Sequence, residues 1–391
     1  MIKTKVEIIT PVHIGTGENK IAFEYNYRVD SHICEHYEIK DIFLMIPSKD
    51  LLDEKFLTDL TKLKNNRSNK EIINSKIKGN VDYTKFTKNY QLNIDMQKDN
   101  YYLNKKDVAE QIKNLNTPII PGSTIKGAIF NAIEYEILRQ YFPQIKEKLK
   151  SNNSYQVKNI EDIYKMLFPF QQGNEINIIN FIKIMRSCLI CRDIPFKEMR
   201  LVAAERPKIN DIEVSSMTLT HFETIDYGQC EIGDFIIIDR KKLKMLTSKY
   251  INEPYYIQII KFLNYNNIQI ACRNYFKAMI KEELNVNDKY QNYSLLQIDE
   301  ALKKLLEIDK GCYIRIGKNT NYFFKTISYL FKTRYPDYYE RNFEKIFSPV
   351  KLKKGRAHPI YDKMPITRTY YYDDNYIYYP GVIKIEFINE N

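Results

Sequence analysis

The chain has 391 residues, 44% of them hydrophobic, which is enough for a sizeable core and, by length, roughly two or three domains. Its 60 Lys and Arg against 49 Asp and Glu give a formal charge of +11; this excludes a histone-like tail and fits either an anionic partner such as nucleic acid or a solvated lysine-rich surface. No run of about 18 apolar residues occurs, so no membrane partner is expected, and the alternating, charged start MIKTKVEIITPVHIG does not read as a signal peptide, which makes a reducing, cytoplasmic location the expectation.

KTKVEIITPVHIGTG reads as an opening strand over residues 3–10 and a Pro-Gly loop over residues 11–17. Gly15 and Gly17 permit close backbone approach there, and His13 and Lys20 offer donors to a phosphate or a base; a plain turn explains the same residues. HYEIKDIFLMIP reads as a strand pair ending at Pro47, and SKDLLDEKFLTDLTKL as a helix with Ser48 at its N-cap. Residues 64–116 are rich in Lys and Asn, with weak periodicity.

TPIIPGSTIKGAIF (residues 117–130) reads as strand, turn and helix, the helix running on to about residue 142. Gly122 and Gly127 have the spacing of a phosphate-binding Walker loop, but Ala128 stands where its lysine is needed and Ile129 where its hydroxyl is needed. A nucleoside triphosphate site is therefore excluded here, and no cofactor is expected. Ser123 is a candidate N-cap, Ile125, Ile129, Ala132, Ile133 and Ile137 form an apolar stripe, and Gly127 and Ala128 leave room for a sheet. The first-turn N–H groups, together with Lys126, suit a backbone phosphate.

Residues 143–178 read as a helical or loop insertion, and INFIKIMRSCLICRDI as a buried strand. Cys188 and Cys191 within it form the one C-x-x-C among six cysteines; with no second pair, and with residues three apart on a strand facing opposite ways, they read as core residues and no metal site is expected. MRLVAAERPK and SSMTLTHFETIDYGQCEIGDFIIIDR add β pattern, residues 241–308 form a helical block, and GCYIRIGKNTNYFFKTISYLF repeats the order strand, loop, helix. In this last loop Gly317 leads, Asn319 and Asn321 tolerate left-handed backbone, and Lys318 and Lys325 bring charge. VKLKKGRAHP concentrates Lys353, Lys354 and Arg356, and Arg368 precedes a tyrosine cluster that either packs a sheet or offers a stacking platform. The strand–loop–helix unit at 117–142 and 311–331 suggests two α+β halves, about 1–220 and 221–391, the second with a helical insertion at about 241–308.

In this order the motifs resemble the RAMP superfamily, the repeat-associated mysterious proteins of CRISPR effector complexes. IITPVHIGTGENK looks like the family's opening strand and loop, and IIPGSTIKGAIFNAI its signature strand–turn–helix. HFETIDYGQCEIGDFII, with Glu223 and Gly228, is similar to the element that opens the second repeat; IRIGKNTNYFFKT sits where the family has its C-terminal glycine-rich loop, with Asn319 and Asn321 where glycines are usual; and KMPITRTYYY resembles a Pro-x-Thr-Arg element near the end. Length and layout look most like the Csm-type subunit that caps the 3′ end of the guide RNA.

The resemblance implies an α+β fold of two ferredoxin-like, RRM-related domains with helical and hairpin insertions. It also implies a non-catalytic subunit of a type III-A complex that binds crRNA near its 3′ end, caps the backbone filament and serves crRNA maturation. Its partners would be crRNA, target RNA, neighbouring RAMP backbone subunits and a cellular exonuclease. The glycines 15, 17, 122, 127 and 317, with His13, Lys20, Ser123, Lys126, Arg186, Lys318 and Asn319, would meet the RNA, as would Lys325, Lys353, Lys354, Arg356 and Arg368. Backbone subunits of such complexes cut target RNA with a loop aspartate; Asp30 and Asp41 lie in no matching motif, so the chain reads as not a nuclease. The alternative is an endoribonuclease that processes CRISPR RNA with His13 or a tyrosine as general acid or base.

Overall fold

The computed structural model describes residues 2–28, 31–44, 54, 58, 82–94, 107–151, 178–205, 220–252, 254–287, 293–307, 311–320, 328–340, 369–372 and 377–389. The opening strand, β1 (Ile2–Ile8), buries Thr4, Val6 and Ile8 with the period of two expected of a strand covered on one face. It is followed by β2 (Gly15–Lys20), β3 (Tyr25–Arg28) and β4 (Ile33–His36).

Where HYEIKDIFLMIP was expected to continue as strand, a short helix α1 (Ile39–Phe43) begins. Ile39, Ile42 and Phe43 recur at helical spacing and join Phe23 and Tyr37 in a small apolar cluster, which decides the local choice. The helix expected from Ser48 lies almost wholly outside the described residues.

Strands β5 (Tyr90–Asn93), β6 (Val108–Gln111), β7 (Lys113–Asn114) and β8 (Thr117–Ile120) lead to the long helix α2 (Gly122–Ser151). All five residues of the expected stripe on α2 are fully buried. The helix continues through Pro143 because Tyr141, Phe142, Ile145 and Leu149 extend the stripe beyond it. The segment expected as one buried strand is helix α3 (Ile178–Ser187) followed by β9 (Leu189–Cys191). Phe181, Met185 and Cys188 are buried at positions i, i+4 and i+7, a helical pattern hidden inside a continuous apolar run.

The chain goes on through β10 (Ile194–Pro195), β11 (Met199–Glu205), β12 (Thr220–Ile225), β13 (Cys230–Gly233) and β14 (Ile236–Ile238). The helical block is present as α4 (Arg240–Lys249), α5 (Pro254–Ile260), α6 (Tyr265–Asn287) and α7 (Tyr293–Leu306). After it come β15 (Cys312–Arg315), α8 (Ser328–Arg334), β16 (Tyr370–Tyr372), β17 (Ile377–Tyr378) and β18 (Val382–Asn389).

The mixed α+β architecture has two main sheets. One is antiparallel, in the order β13-β1-β18-β15. The other runs β2-β6-β12-β11-β5-β4-β3, with β16 and β17 joined through β11; its β6–β12 and β5–β11 pairs are parallel. A cut at residue 220 passes through the first sheet, since β1 lies between β13 and β18. The main core lies between this sheet and the helices. There α2 meets α6 with the Tyr135 and Tyr275 rings 5.1 Å apart. Tyr370, Tyr371 and Tyr379 are buried, so these members of the C-terminal cluster pack the fold.

Candidate nucleic-acid interface

The first and last glycine loops, about 300 residues apart in sequence, lie against each other. The loop leaving β1 must place its backbone polar groups without a strand partner of its own. Pro11 O accepts from Gly381 N at 3.0 Å, Val12 exchanges two hydrogen bonds with Ile225 at 2.8 and 3.1 Å, and His13 O accepts from Lys318 N at 2.9 Å. Ile14 O accepts from Ile112 N at 2.8 Å, and Ile14 N donates to Gln111 Oε1 at 2.8 Å. Thr10 Oγ1 donates to Tyr379 O at 2.6 Å and accepts from Val382 N at 2.9 Å.

This approach requires glycine at two points. Gly317 has φ +95° and Gly381 φ +80°; a Cβ on the first would collide with the His13 carbonyl, and on the second with the Ile316 carbonyl. Asn319, at φ +50°, takes the left-handed backbone expected of it, and its Nδ2 donates to Tyr371 Oη at 2.9 Å. Beneath the loop, Arg315 stacks on Tyr379 at 3.5 Å from the ring centroid, donates to Pro380 O at 2.7 Å, and faces the buried Glu283 at 3.6 Å. The loop's shape is thus set from below, leaving Lys318 exposed with its ammonium 5.6 Å over the Phe222 ring.

A buried polar centre supports both loops from β12. Glu223 has no solvent exposure; its carboxylate accepts from Tyr25 Oη at 2.9 Å, Tyr90 Oη at 2.6 Å, Gln111 N at 3.0 Å and Lys113 Nζ at 2.6 Å. Burial pushes its pKa up, but the Lys113 charge and these donors outweigh burial and hold it below the ordinary value. The Glu223 carbonyl accepts from His13 Nδ1 at 2.7 Å, so the neutral ring keeps Nε2 as an acceptor. Burial pulls the His13 pKa down from 6.5 to about 4. His13 Nε2 is buried against Gly15, where a Cβ would stand 2.8 Å away.

The Pro-Gly-Ser turn joins this frame through Gln111, whose amide also donates to Ile119 O at 3.2 Å in the strand before the turn. The helix starts one residue before Ser123, and Thr124 N bonds back to Pro121 O at 2.9 Å, so the expected Ser123 cap does not form and Ser123 lies exposed in the first turn. Gly122 is buried; a Cβ there would strike the Cys191 carbonyl. Its N–H, expected to be free for phosphate, donates to Asp193 Oδ1 at 2.8 Å. Gly127 is exposed with no neighbour within 4 Å of a would-be Cβ, so the packing role expected of it falls to Ala128 alone, which lies against the core. Lys126 sits half-buried beside Cys188 and Cys191, within electrostatic reach of both thiols.

The other candidates are dispersed. Gly17 is exposed at φ +95°, and Lys20 pairs with Glu110 at 3.7 Å. Arg186, on α3, pairs with Glu134 and lies 5.5 Å from the ring centroid of Phe130 on α2. Asn321, Lys325, Lys353, Lys354, Arg356 and Arg368 lie outside the described residues. Among the described residues no group of three or more His, Cys, Asp and Glu could hold a metal ion, and no helix is long and apolar enough to cross a membrane.

Sequence reasoning missed Gln111 and Lys113, the residues that tie the loops to Glu223. The signal was present: polar side chains inside the β-patterned VAEQIKN call for partners.

The RAMP superfamily model matches residues 5–324. The chain is 24% identical, over 407 residues covering 99% of it and 89% of the relative, to a protein of Methanocaldococcus jannaschii described as CRISPR system Cms protein Csm5. Among solved structures it is similar to a chain in the cryo-EM structure of a Csm-crRNA-target RNA ternary complex of a type III-A CRISPR-Cas system. That match has a TM-score of 0.62 at 18% identity and covers 99% of this chain and 100% of the other. It is also similar to the crystal structure of T. onnurineus Csm5, with a TM-score of 0.53 at 17% identity, covering 84% of this chain and 94% of that one.

Proposed function

The chain belongs to the RAMP superfamily, and from that membership we propose that it is a non-catalytic Csm subunit of a type III-A CRISPR effector complex. In this reading it binds crRNA near the 3′ end, caps the filament of RAMP backbone subunits, and is needed for crRNA maturation and antiviral defence. Target RNA passes alongside, and a cellular exonuclease trims the guide beyond the cap. Two ferredoxin-like, RRM-related units, about 1–220 and 221–391, belong to the same proposal; they would share the sheet in which β1 lies beside β18.

One observation carries the RNA-binding part: the loops at residues 11–17 and 316–320 lie edge to edge on a buried frame, with exposed Lys318 above them. Backbone at a glycine-rich edge admits a phosphodiester closely, and one ammonium per phosphate fixes register without reading sequence. The full-length likeness to a Csm5 protein and to a chain of a Csm–crRNA assembly supports the rest.

The endoribonuclease reading gains no support at His13. That residue is 1% exposed and covered by Gly15, which keeps its ring from a 2′-hydroxyl or a scissile phosphate.

Purification of a genomically tagged copy, with sequencing of the bound RNA, tests the proposal. Short CRISPR RNAs with a common 5′ repeat tag and ragged 3′ ends are expected. A complex free of CRISPR RNA would overturn it.

A further inference from the structure

Among the described residues, the unpaired positive charge is not centred on the glycine loops. Of the cations there, Lys20 pairs with Glu110 and Lys113 with Glu223 and Glu110, leaving Lys318. Helix α4 contrasts with this. Its sequence RKKLKMLTSK carries five cations and no acid, and buries Leu246 against the core. Lys242 pairs with the N-cap Asp239 at 3.5 Å, whereas Arg240, Lys241, Lys244 and Lys249 are exposed and have no ion pair among the described residues. Lys241, Lys244, Met245 and Ser248 fall on one outward face at helical spacing, and Met245 is 65% exposed in the middle of it. Three of the five cations occupy the first turn, where the helix dipole disfavours positive charge, so helix stability does not explain the arrangement.

The ridge is fixed to the Pro-Gly-Ser turn. Asp239 N donates to Cys188 O at 2.8 Å, and Lys126 and Lys242 both lie within electrostatic reach of the Cys188 thiol. The cations of α4 span about 13 Å of helix, whose N-terminal end is tied at Cys188, next to the strand β9 against which Gly122 packs. The charge of α4 complements a polyanion, as a basic surface that tracks the backbone of a single strand does.

We propose that the exposed side of α4, with Lys241, Lys244 and Met245 at its middle and Arg240 and Lys249 at its two edges, is a second RNA-binding surface, which takes up single-stranded RNA leaving the Lys126 turn. This rests on the RNA-binding reading above and extends it to a surface outside the glycine loops.

The test measures binding of single-stranded RNA oligonucleotides to the full-length chain over a range of salt concentrations. It compares wild type, Lys318→Ala, the triple variant Lys241→Gln, Lys244→Gln, Lys249→Gln, and the corresponding Lys→Arg triple. Each single-stranded phosphate contact adds roughly 0.7 to the slope of log K against log salt, so the Gln triple should make the slope shallower by about 2 and the Arg triple should restore it. Matched circular dichroism spectra check that the exposed replacements leave the fold intact. If the Gln triple binds like wild type while Lys318→Ala binds more weakly, the α4 proposal falls and the loop site stands. If wild type does not bind RNA, both fall. If the Gln triple keeps RNA but loses neighbouring subunits on co-purification, the ridge docks protein and the proposal is overturned.

Discussion

The backbone N–H of Lys318 donates to the carbonyl of His13 at 2.9 Å, joining a loop near the start of the chain to one near its end. The contact depends on Gly317, whose φ of +95° and missing Cβ let the two backbones meet. Gly317→Ala should therefore destabilise the protein by about 1–3 kcal/mol, because it combines left-handed strain with a collision against main chain. Gly17→Ala, also at φ +95° but with open space around it, should cost only about 1 kcal/mol. Thermal melting of the two variants side by side checks the order; equal losses would mean that the loops do not need this closeness.

The Glu223–Lys113 pair should behave as one buried unit. Lys113→Met leaves a fully buried carboxylate without its cation and should cost about 3–5 kcal/mol. Adding Glu223→Gln should recover part of that loss instead of adding to it. A double-mutant cycle by urea denaturation reads the coupling directly.

Acid should weaken the fold through His13. Its folded pKa is about 4 against 6.5 for the free side chain, so between those values the unfolded chain binds a proton that the folded chain refuses. The contribution is complete above about pH 6.5 and is lost as pH falls toward 4, with a total on the order of 3 kcal/mol. Glu223, held below its ordinary value, adds a loss in the same direction at lower pH. Across this range the stability of wild type should fall more steeply with decreasing pH than that of His13→Gln, measured by denaturation; parallel pH dependences would remove His13 from the account.

Arg315→Lys keeps the charge but forfeits the stack on Tyr379 and the fixed bond to Pro380 O. A loss of about 2 kcal/mol is expected, with weaker RNA binding because the loop beneath Lys318 loosens. Wild-type stability in this variant would show that the loop is held by its main-chain bonds alone.

Much of this was legible from residue order. The strand–turn–helix at 117–142, the stripe on α2 and the left-handed Asn319 follow from periodicity and turn chemistry. Short apolar runs misled where helix and strand patterns overlap: Phe181 and Met185 lie on a helix, with Cys188 just past its end, inside what reads as a strand. The start of α2 was misjudged because Asp193, 71 residues away, takes the Gly122 N–H, a long-range partner that no local rule supplies. The meeting of residues 13 and 318 is likewise a property of sheet order, with β1 beside β18, and not of either loop alone.

The most direct test of the central claim is equilibrium binding of single-stranded RNAs of several sequences by the Lys126→Ala, Lys318→Ala double variant at increasing salt. The account predicts weaker binding by a similar factor for every sequence, with a salt slope shallower by about 1.4. Curves that superimpose on wild type at every salt concentration would contradict it.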